Sequence, residues 1–170
     1  MEVQKPSLGE RLSQYLRVKN TLLVSQNRTG IYLVVKHVLA ERKGRPEVIM
    51  SPYTIADVSN MVILAGGQPV YVDVDRETCN ISVDQIERNI TSRTGLILVT
   101  HLHGLAADIK DICAIGSQYE IPVVEDCAQA FGTTVSGKKL GTFGYAGVYS
   151  FGLYKNVNAL LGGAIFVKDE

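Results

Sequence analysis

Apolar residues occur in short bursts along the chain, and most bursts are followed by a segment with helical spacing. The bursts are rich in Val and Ile and predict strands near residues 22–25, 48–50, 70–74, 96–100, 123–125, 148–151 and 164–167. The helical spacing predicts helices near residues 7–16, 30–41, 55–64, 83–89 and 107–119. Most of the strands are continuously apolar, which is typical of a sheet covered on both faces. We therefore expect an α/β protein with three α/β/α layers and a mostly parallel sheet of about seven strands.

One segment interrupts this alternation. Residues 132–144 are rich in Gly, Thr, Ser and Lys. Such composition is typical of a loop or a short hairpin, because these residues favour turns over long regular elements. We therefore expect no helix between the fifth and sixth strands.

Composition and charge limit the classes of function. A chain of 170 residues with 46% hydrophobic residues can bury one core. Its formal net charge of zero predicts no broad basic face for nucleic acid. The apolar stretches have the length of strands, and the first residues lack the apolar core of a signal peptide. Cys79, Cys113 and Cys127 are scattered, which is typical of reduced thiols. We expect a cytoplasmic protein without a membrane or nucleic-acid partner.

Polar side chains follow the carboxyl ends of several predicted strands. These clusters occupy residues 25–30, 51–54, 101–104, 126–129 and 150–155. Ligands of open α/β sheets bind beyond the carboxyl ends of the strands. We therefore expect one binding site built from these separate segments.

Lys155 and Asp126 are the residues that carry the chemistry of this site. Each follows an apolar run, and Lys155 also precedes the glycine pair at 162–163. The lysine amine can form a Schiff base with a carbonyl, and the acid can keep a ring nitrogen protonated. Together they predict the protein's part in pyridoxal phosphate chemistry. The alternatives are a surface lysine and a carboxylate that caps a helix.

The turn at residues 27–30 predicts an anion site. It joins a strand to a helix, where backbone N–H groups and the helix dipole favour a phosphate, and Thr29 adds a hydroxyl. The alternative is an ordinary N-cap with Asn27 or Thr29 as the capping side chain. Neither a Walker loop nor a Gly-x-Gly-x-x-Gly fingerprint is present.

His101 and His103 raise the question of a metal. As alternate residues of a strand they would share a face and could bind a metal with Asp126. No further histidine is near them in sequence. We therefore favour packing and hydrogen bonding around the floor of the site, and we expect no metal.

Four ordered motifs carry a resemblance to a known family: GGQPVYVDVD (66–75), THLHG (100–104), VVEDCAQAFG (123–132) and YSFGLYKN (149–156). With them, nearly the whole chain resembles the DegT/DnrJ/EryC1/StrS family of nucleotide-sugar aminotransferases. The resemblance implies the aspartate-aminotransferase fold, which is fold type I of pyridoxal phosphate enzymes. It also implies a helical lead-in at residues 1–20 and a cofactor-binding large domain at residues 21–170. The smaller C-terminal domain of the family is expected to be absent from this chain.

The resemblance also implies residue roles. Lys155 matches the lysine that holds the cofactor covalently and then moves a proton. Asp126 matches the acid paired with the pyridine nitrogen, and Gln129 matches a residue that contacts the ring oxygen. Ser150 matches part of the phosphate grip, together with three residues of the turn that follows the first strand: Arg28, Thr29 and Gly30. Related dehydratases have histidine in place of the lysine, so Lys155 favours amino transfer.

Two positions depart from the family pattern. Arg28 stands where glycine is usual, so its side chain either adds a contact to the phosphate or crowds the turn. Ile55 stands where an aromatic residue often stacks on the cofactor ring. Either Tyr53 or an aliphatic side chain is then left to cover that face.

The resemblance implies an activity in polysaccharide biosynthesis. The expected reaction moves an amino group from an amino acid, expected to be glutamate, to a keto-sugar on a nucleotide diphosphate, and the expected assembly is a homodimer. The alternative is a truncated, non-catalytic fragment or a module that binds pyridoxal phosphate without turnover. A nicotinamide-dependent Rossmann enzyme is a weaker interpretation, since no glycine fingerprint follows the first strand.

Overall fold

The computed structural model describes residues 5–168. Its α-helices are α1 (Leu8–Leu16), α2 (Asn27–Glu41), α3 (Ala56–Leu64), α4 (Val83–Arg88) and α5 (Ile109–Gln118). Its strands are β1 (Thr21–Val24), β2 (Glu47–Met50), β3 (Gln68–Tyr71), β4 (Thr94–Thr100), β5 (Val123–Asp126), β6 (Thr134–Val135), β7 (Lys138–Lys139), β8 (Ala146–Ser150) and β9 (Gly163–Val167). A 3₁₀ turn at Leu102–Gly104 follows β4. Every helix and each strand of the main sheet overlaps a segment predicted from the pattern of apolar residues.

The main sheet has seven strands in the order β1-β9-β8-β5-β4-β2-β3. The neighbours from β8 to β3 are all parallel, whereas β9 is antiparallel to both β8 and β1. β8 and β9 are consecutive in the chain, with no helix between them. They pair antiparallel because parallel neighbours need a longer crossover connection, usually a helix. The expectation of a mostly parallel, seven-stranded sheet is confirmed.

Two hydrophobic cores cover the two faces of this sheet. One core is formed with α1, α4 and α5, and the other with α2 and α3. Successive strand residues point to opposite faces, so Val123 of β5 belongs to the first core and Val124 to the second. The three-layer arrangement expected from the continuously apolar strands is therefore confirmed.

The segment that interrupts the alternation is a small hairpin, as the sequence predicts. Strands β6 and β7 pair antiparallel, with Ser136 and Gly137 between them. Both residues have positive φ, 51° and 79°, which a two-residue type I′ turn requires.

Two helix starts differ from the prediction. Helix α2 begins at Asn27 rather than at residue 30, so the predicted anion-binding turn is the first turn of the helix itself. Helix α5 begins at Ile109 rather than at residue 107, because Asp108, with a ψ of 58°, is not helical. Within residues 5–168, no helix combines the length and apolar character needed to cross a membrane.

Gly30 allows α2 to lie close to the sheet. A Cβ atom at this position would lie 2.6 Å from Val148 Cγ1 and 3.1 Å from Ile165 Cγ1. Both neighbours are buried in the sheet, so neither can move aside easily. The sequence suggests a phosphate contact for Gly30, and the structure adds this packing constraint.

We predict that Gly30→Ala destabilises the fold. Alanine gains up to about 1 kcal/mol as a helix former, but overpacking of a close-packed core costs about 1–3 kcal/mol, so packing decides the sign. Chemical denaturation should show a lower midpoint with an unchanged slope.

Gly152→Ala is the matched control, because its new Cβ would be in ordinary contact, 3.7 Å from Ser150 Oγ. The control should change stability by less than about 0.5 kcal/mol. Equal or higher stability of Gly30→Ala would show that the helix is not held by this contact.

Candidate active site

A cavity of about 300 Å³ lies at the carboxyl edge of the sheet. It is enclosed by the start of α2, the start of α3 and the loop between β8 and β9. Five of the residues predicted from the sequence line it: Asn27, Arg28, Ile55, Ser150 and Lys155. The volume is at the small end of the range for small-molecule sites.

The first turn of α2 lies in the wall of this cavity. The first hydrogen bonds of the helix run from Thr29 N–H and Gly30 N–H to Gln26 O, at 3.1 and 3.3 Å. The N-cap residue is Gln26, and no side chain caps the helix. The ordinary N-cap with Asn27 or Thr29 is therefore not formed. The positive end of the helix dipole therefore lies at the cavity wall, where it favours an anion.

Asp126 lies beside the cavity at the end of β5, with only 2% of its surface exposed. Its Oδ1 accepts hydrogen bonds from Asn27 Nδ2 at 3.3 Å and from Ala128 N–H at 3.1 Å. No donor to its Oδ2 occurs among residues 5–168. One oxygen of this carboxyl group is therefore left to accept a further hydrogen bond.

Burial raises the pKa of the Asp126 carboxyl group. The hydrogen bonds from Ala128 and Asn27 and the positive charge of Lys155 act in the opposite direction and lower it. The net shift is upward, so the fold disfavours the ionised form. A cationic partner at Oδ2 would relieve this cost.

Ser150 and Lys155, at the start of the β8–β9 connection, both line the cavity. Ser150 is the last residue of β8, and Lys155 lies half-buried in the loop that follows. The loop bends sharply beside the lysine, where Tyr154 has a φ of 64°. On the other side, Asn156 Nδ2 donates to Phe131 O at 3.5 Å. These neighbours set the path of the backbone that presents the Lys155 amine.

The remaining predicted residues do not line this cavity. Gln129 Oε1 accepts a hydrogen bond from the His103 N–H at 2.9 Å, and the Tyr53 ring lies 6.4 Å from the His103 ring. These three residues form a neighbouring group beyond the strand ends. Thr29 lies in the first turn of α2 but outside the cavity wall. Of the two residues considered for the ring face, Ile55 lines the cavity and Tyr53 does not.

Arg28 forms an ion pair at the cavity wall. Its Nη1 lies 2.5 Å from Asp57 Oδ2, and both side chains are partly exposed. Asp57 belongs to α3, so the pair joins the starts of two helices. The guanidinium group is therefore already engaged by a carboxylate.

The chain matches the model of the DegT/DnrJ/EryC1/StrS aminotransferase family over residues 4–170. The chain belongs to this family. GDP-perosamine synthase of Vibrio cholerae is 31% identical over 158 residues, which cover 93% of this chain and 42% of that relative. The structure is also similar to NtdA of Bacillus subtilis with bound PMP, at 32% identity and a TM-score of 0.85, covering 95% of this chain and 36% of that one. DesI, solved in the presence of its TDP-sugar product, is 30% identical with a TM-score of 0.84, and the similarity covers 95% of this chain and 40% of DesI.

The similarity covers nearly all of this chain but less than half of each relative. These aminotransferases share the three-layer fold of the chain, with its mostly parallel seven-stranded sheet. The chain, however, spans about two fifths of their length, between 36% and 42% for the three relatives. The resemblance noted in the motifs is confirmed as family membership.

This family member also contains a buried charged group that the sequence analysis did not identify. Glu125 is fully buried and faces away from Asp126, because adjacent strand residues point to opposite faces. Its carboxyl oxygens accept from the N–H groups of Gly141, Phe143 and Gly144 at 2.7–2.9 Å. A fourth bond joins it to His101 Nε2 at 3.1 Å. All four neighbours donate, so the carboxylate is fully satisfied.

The His101 ring is committed to the same network. Its Nδ1 accepts from the Ala107 N–H, so the proton lies on Nε2 and is donated to Glu125. One ring nitrogen of His101, a Glu125 oxygen and Cys127 Sγ lie within 4.8 Å of one another, which is close enough for a metal site. Hydrogen bonds, however, already engage both ring nitrogens and both carboxylate oxygens.

The metal site considered from the sequence is not formed. His103 is exposed and has a φ of 56°, so it does not continue β4 or share a face with His101. His101 itself faces Glu125, on the side of the sheet opposite Asp126. A signal for this arrangement was present: Glu125 alternates with Val123 and Cys127 and must therefore share their face.

We predict that Glu125→Gln costs about 3 kcal/mol of folding free energy. The amide NH₂ would face backbone N–H groups and leave buried donors without acceptors. Hydrogen exchange should then accelerate at the amides of Gly141, Phe143 and Gly144, while chemical denaturation measures the loss of stability.

Glu77→Gln, at an exposed position, is the control and should stay within about 0.5 kcal/mol of the wild type. Unchanged exchange at the three amides in Glu125→Gln would show that the carboxylate does not hold this loop.

Proposed function

We propose that this chain forms the cofactor-binding part of a pyridoxal phosphate-dependent aminotransferase, which moves an amino group from an amino acid to a nucleotide-linked keto-sugar. The observation that supports the proposal is that Lys155 and the N-terminus of α2 line one cavity, and that Asp126 is joined to this wall through its hydrogen bond with Asn27. An amine, an anion site and a buried acid are the three groups that the cofactor requires. Family membership supports the same conclusion.

The residues present fit the cofactor. The N–H groups at the start of α2 and the Ser150 hydroxyl would bind its phosphate, with Arg28 available if Asp57 releases it. Asp126 Oδ2 would accept a hydrogen bond from the ring nitrogen and hold its proton. Ile55 would cover one face of the ring, since it lines the cavity.

Lys155 would carry the proton transfers. When bound, pyridoxal phosphate supplies an aldehyde carbon and a ring that withdraws electrons. Lys155 Nζ would hold the aldehyde carbon until the amino donor replaces it, and would then move a proton between the substrate carbon and that carbon. Gln129 Oε1 accepts from the His103 N–H, so its amide NH₂ would be the group that donates the predicted contact to the ring oxygen.

The substrate class is proposed from the relatives. One makes GDP-perosamine, and another was solved with a TDP-sugar product. We therefore propose a nucleotide-linked keto-sugar as the amino acceptor and an amino acid, glutamate, as the donor, within polysaccharide biosynthesis. Thr29, Gly30 and Tyr53 do not line the cavity, so their predicted roles toward the cofactor would be indirect.

A cytoplasmic homodimer is the proposed state of the protein. Leu22 and Leu23 are exposed on the edge strand β1, and Leu160 and Leu161 are exposed at the cavity. A second subunit would remove this apolar surface from water. The three free cysteines suit a reducing compartment. Residues 21–170 would form the large domain of such a subunit.

The second candidate is a module that binds the cofactor without turnover. The observation that favours it is length, because the chain covers only 36–42% of the three relatives. Groups that complete the site in those proteins could lie in the sequence that this chain does not cover. The two candidates agree on cofactor binding and differ only in catalysis.

We predict that borohydride reduction fixes pyridoxal phosphate to Lys155 and that Lys155→Ala abolishes the adduct. The lysine lies in a loop and contributes little packing, so the variant should keep the fold by circular dichroism. Peptide mapping by mass spectrometry locates the adduct.

Lys43→Ala removes an exposed lysine outside the cavity and should leave the adduct unchanged. An adduct on Lys138, Lys139 or Lys168 would contradict the assignment. With the adduct in place, turnover of a keto-sugar supports the aminotransferase, and its absence supports the non-catalytic module.

We predict that Asp126→Asn has opposite effects on cofactor affinity and on the stability of the cofactor-free fold. A neutral amide cannot hold the ring nitrogen protonated, so affinity for pyridoxal phosphate should fall about tenfold or more. Without cofactor the variant should be at least as stable as the wild type at neutral pH, since the fold raises the pKa of Asp126.

The sign of the pH dependence follows from linkage. Asp126 ionises at its ordinary pKa in the unfolded chain and at a higher pKa in the folded chain. Between these two pKa values, rising pH favours the unfolded chain, because only the unfolded chain releases the proton. The wild type should therefore lose stability relative to Asp126→Asn over this interval. Thermal unfolding of both proteins across this interval measures the difference. A wild type that gained stability relative to Asp126→Asn with rising pH would contradict the argument.

A further inference from the structure

A second and larger cavity, of about 650 Å³, lies at the opposite edge of the sheet. It is lined by the end of α1, the β6–β7 hairpin and the end of β9. Because β9 is antiparallel to its neighbours, its last residues lie beside the first residues of β1 and β8. The cavity is therefore at the amino edge, away from Lys155 and the start of α2.

The charge around this cavity has one sign. Five cationic side chains line it, and we call it the basic cavity after them: Arg17, Lys19, Lys138, Lys139 and Lys168. No carboxylate occurs among the lining residues of the described part of the chain. The whole chain has 17 acidic and 17 basic residues, so this local excess departs from its average. Like charges around one cavity repel, and an anion would reverse that cost.

Aromatic contacts orient the two lysines of the hairpin. Lys139 Nζ lies 3.9 Å from the centre of the Tyr15 ring, and Lys138 Nζ lies 4.6 Å from the centre of the Phe143 ring. The Tyr15 ring also stacks on Phe131, with centroids 5.3 Å apart. The type I′ turn fixes the hairpin that carries both amines. The cations are thus partly preorganised, which lowers the entropic cost of binding.

We propose that the basic cavity binds a compact anion with several phosphate charges, such as an organic diphosphate or triphosphate. The cations supply charge-assisted hydrogen bonds, and the volume is about twice that of the proposed active site. The Tyr15 ring, which also lines the cavity, already contacts Phe131 and Lys139, so it offers little free surface for a nucleotide base. Recognition therefore rests on the phosphates rather than on the base.

Calorimetric titration of the full chain with inorganic tripolyphosphate tests this site. The wild type should bind one equivalent, and Lys138→Ala/Lys139→Ala should weaken binding about tenfold or more, because each lost contact is charge-assisted. Arg17→Ala/Lys168→Ala should have a similar effect. Because these residues lie outside the hairpin, this variant shows whether the first result comes from lost charge or from a disturbed hairpin. Lys36→Ala/Lys43→Ala removes the same charge from exposed positions elsewhere and should change the affinity less than about twofold.

Two further arms distinguish this site from others. Saturating pyridoxal phosphate should not displace the probe, since the two cavities lie at opposite edges of the sheet. Adenosine triphosphate should bind about as tightly as tripolyphosphate, because no base is read. Failure of pyridoxal phosphate to bind at all would count against the proposed function and leave this inference intact.

Four outcomes would overturn the inference. They are the absence of saturable binding at millimolar probe, equal weakening by the control variant, displacement by pyridoxal phosphate, and a clear preference for the nucleotide over the inorganic probe. The first two would mean that the cations only complement the negative end of α1 or provide unspecific attraction.

Discussion

The candidate site depends on the alternation of side chains at the end of β5, where two adjacent carboxylates point to opposite faces of the sheet. Glu125 faces four hydrogen-bond donors and holds the loop that leads into β8. Asp126 faces α2 and keeps one oxygen without a donor among the described residues. The same strand therefore provides a fully satisfied charge for structure and an incompletely satisfied one for binding. A shift of β5 by one residue in its pairing register would move each carboxylate to the opposite face, and both the structural and the binding role would be lost.

Much of this arrangement could be predicted from the sequence, because it follows from local periodicity. The alternation of elements gives the three layers, and the carboxyl-edge rule brings residues such as Asn27, Ser150 and Lys155 to one cavity. The roles of these residues toward the cofactor stay predictions. The family motifs added identities to positions that the pattern had already placed near one another.

The parts that could not be predicted depend on partners that are distant in sequence. Nothing near Arg28 indicates that Asp57 of another helix engages it. Nothing near Gly30 indicates the contact with Val148, which belongs to a strand that follows more than a hundred residues later. The basic cavity likewise joins three separate elements whose cations are unremarkable when each is taken alone. Periodicity describes which face a residue occupies, but it does not describe what lies opposite.

The hydrogen bond between Asn27 and Asp126 joins residues 99 positions apart, whereas Lys155 lies in the loop that directly follows Ser150 at the end of β8. Loop closure costs more entropy as the separation grows, so contacts of this kind form slowly and late. We therefore expect the local part of the cavity to form before the part that depends on the contact between Asn27 and Asp126. A ligand that bridges them would bind only chains in which the two parts have already met, and would draw the population toward that closed state.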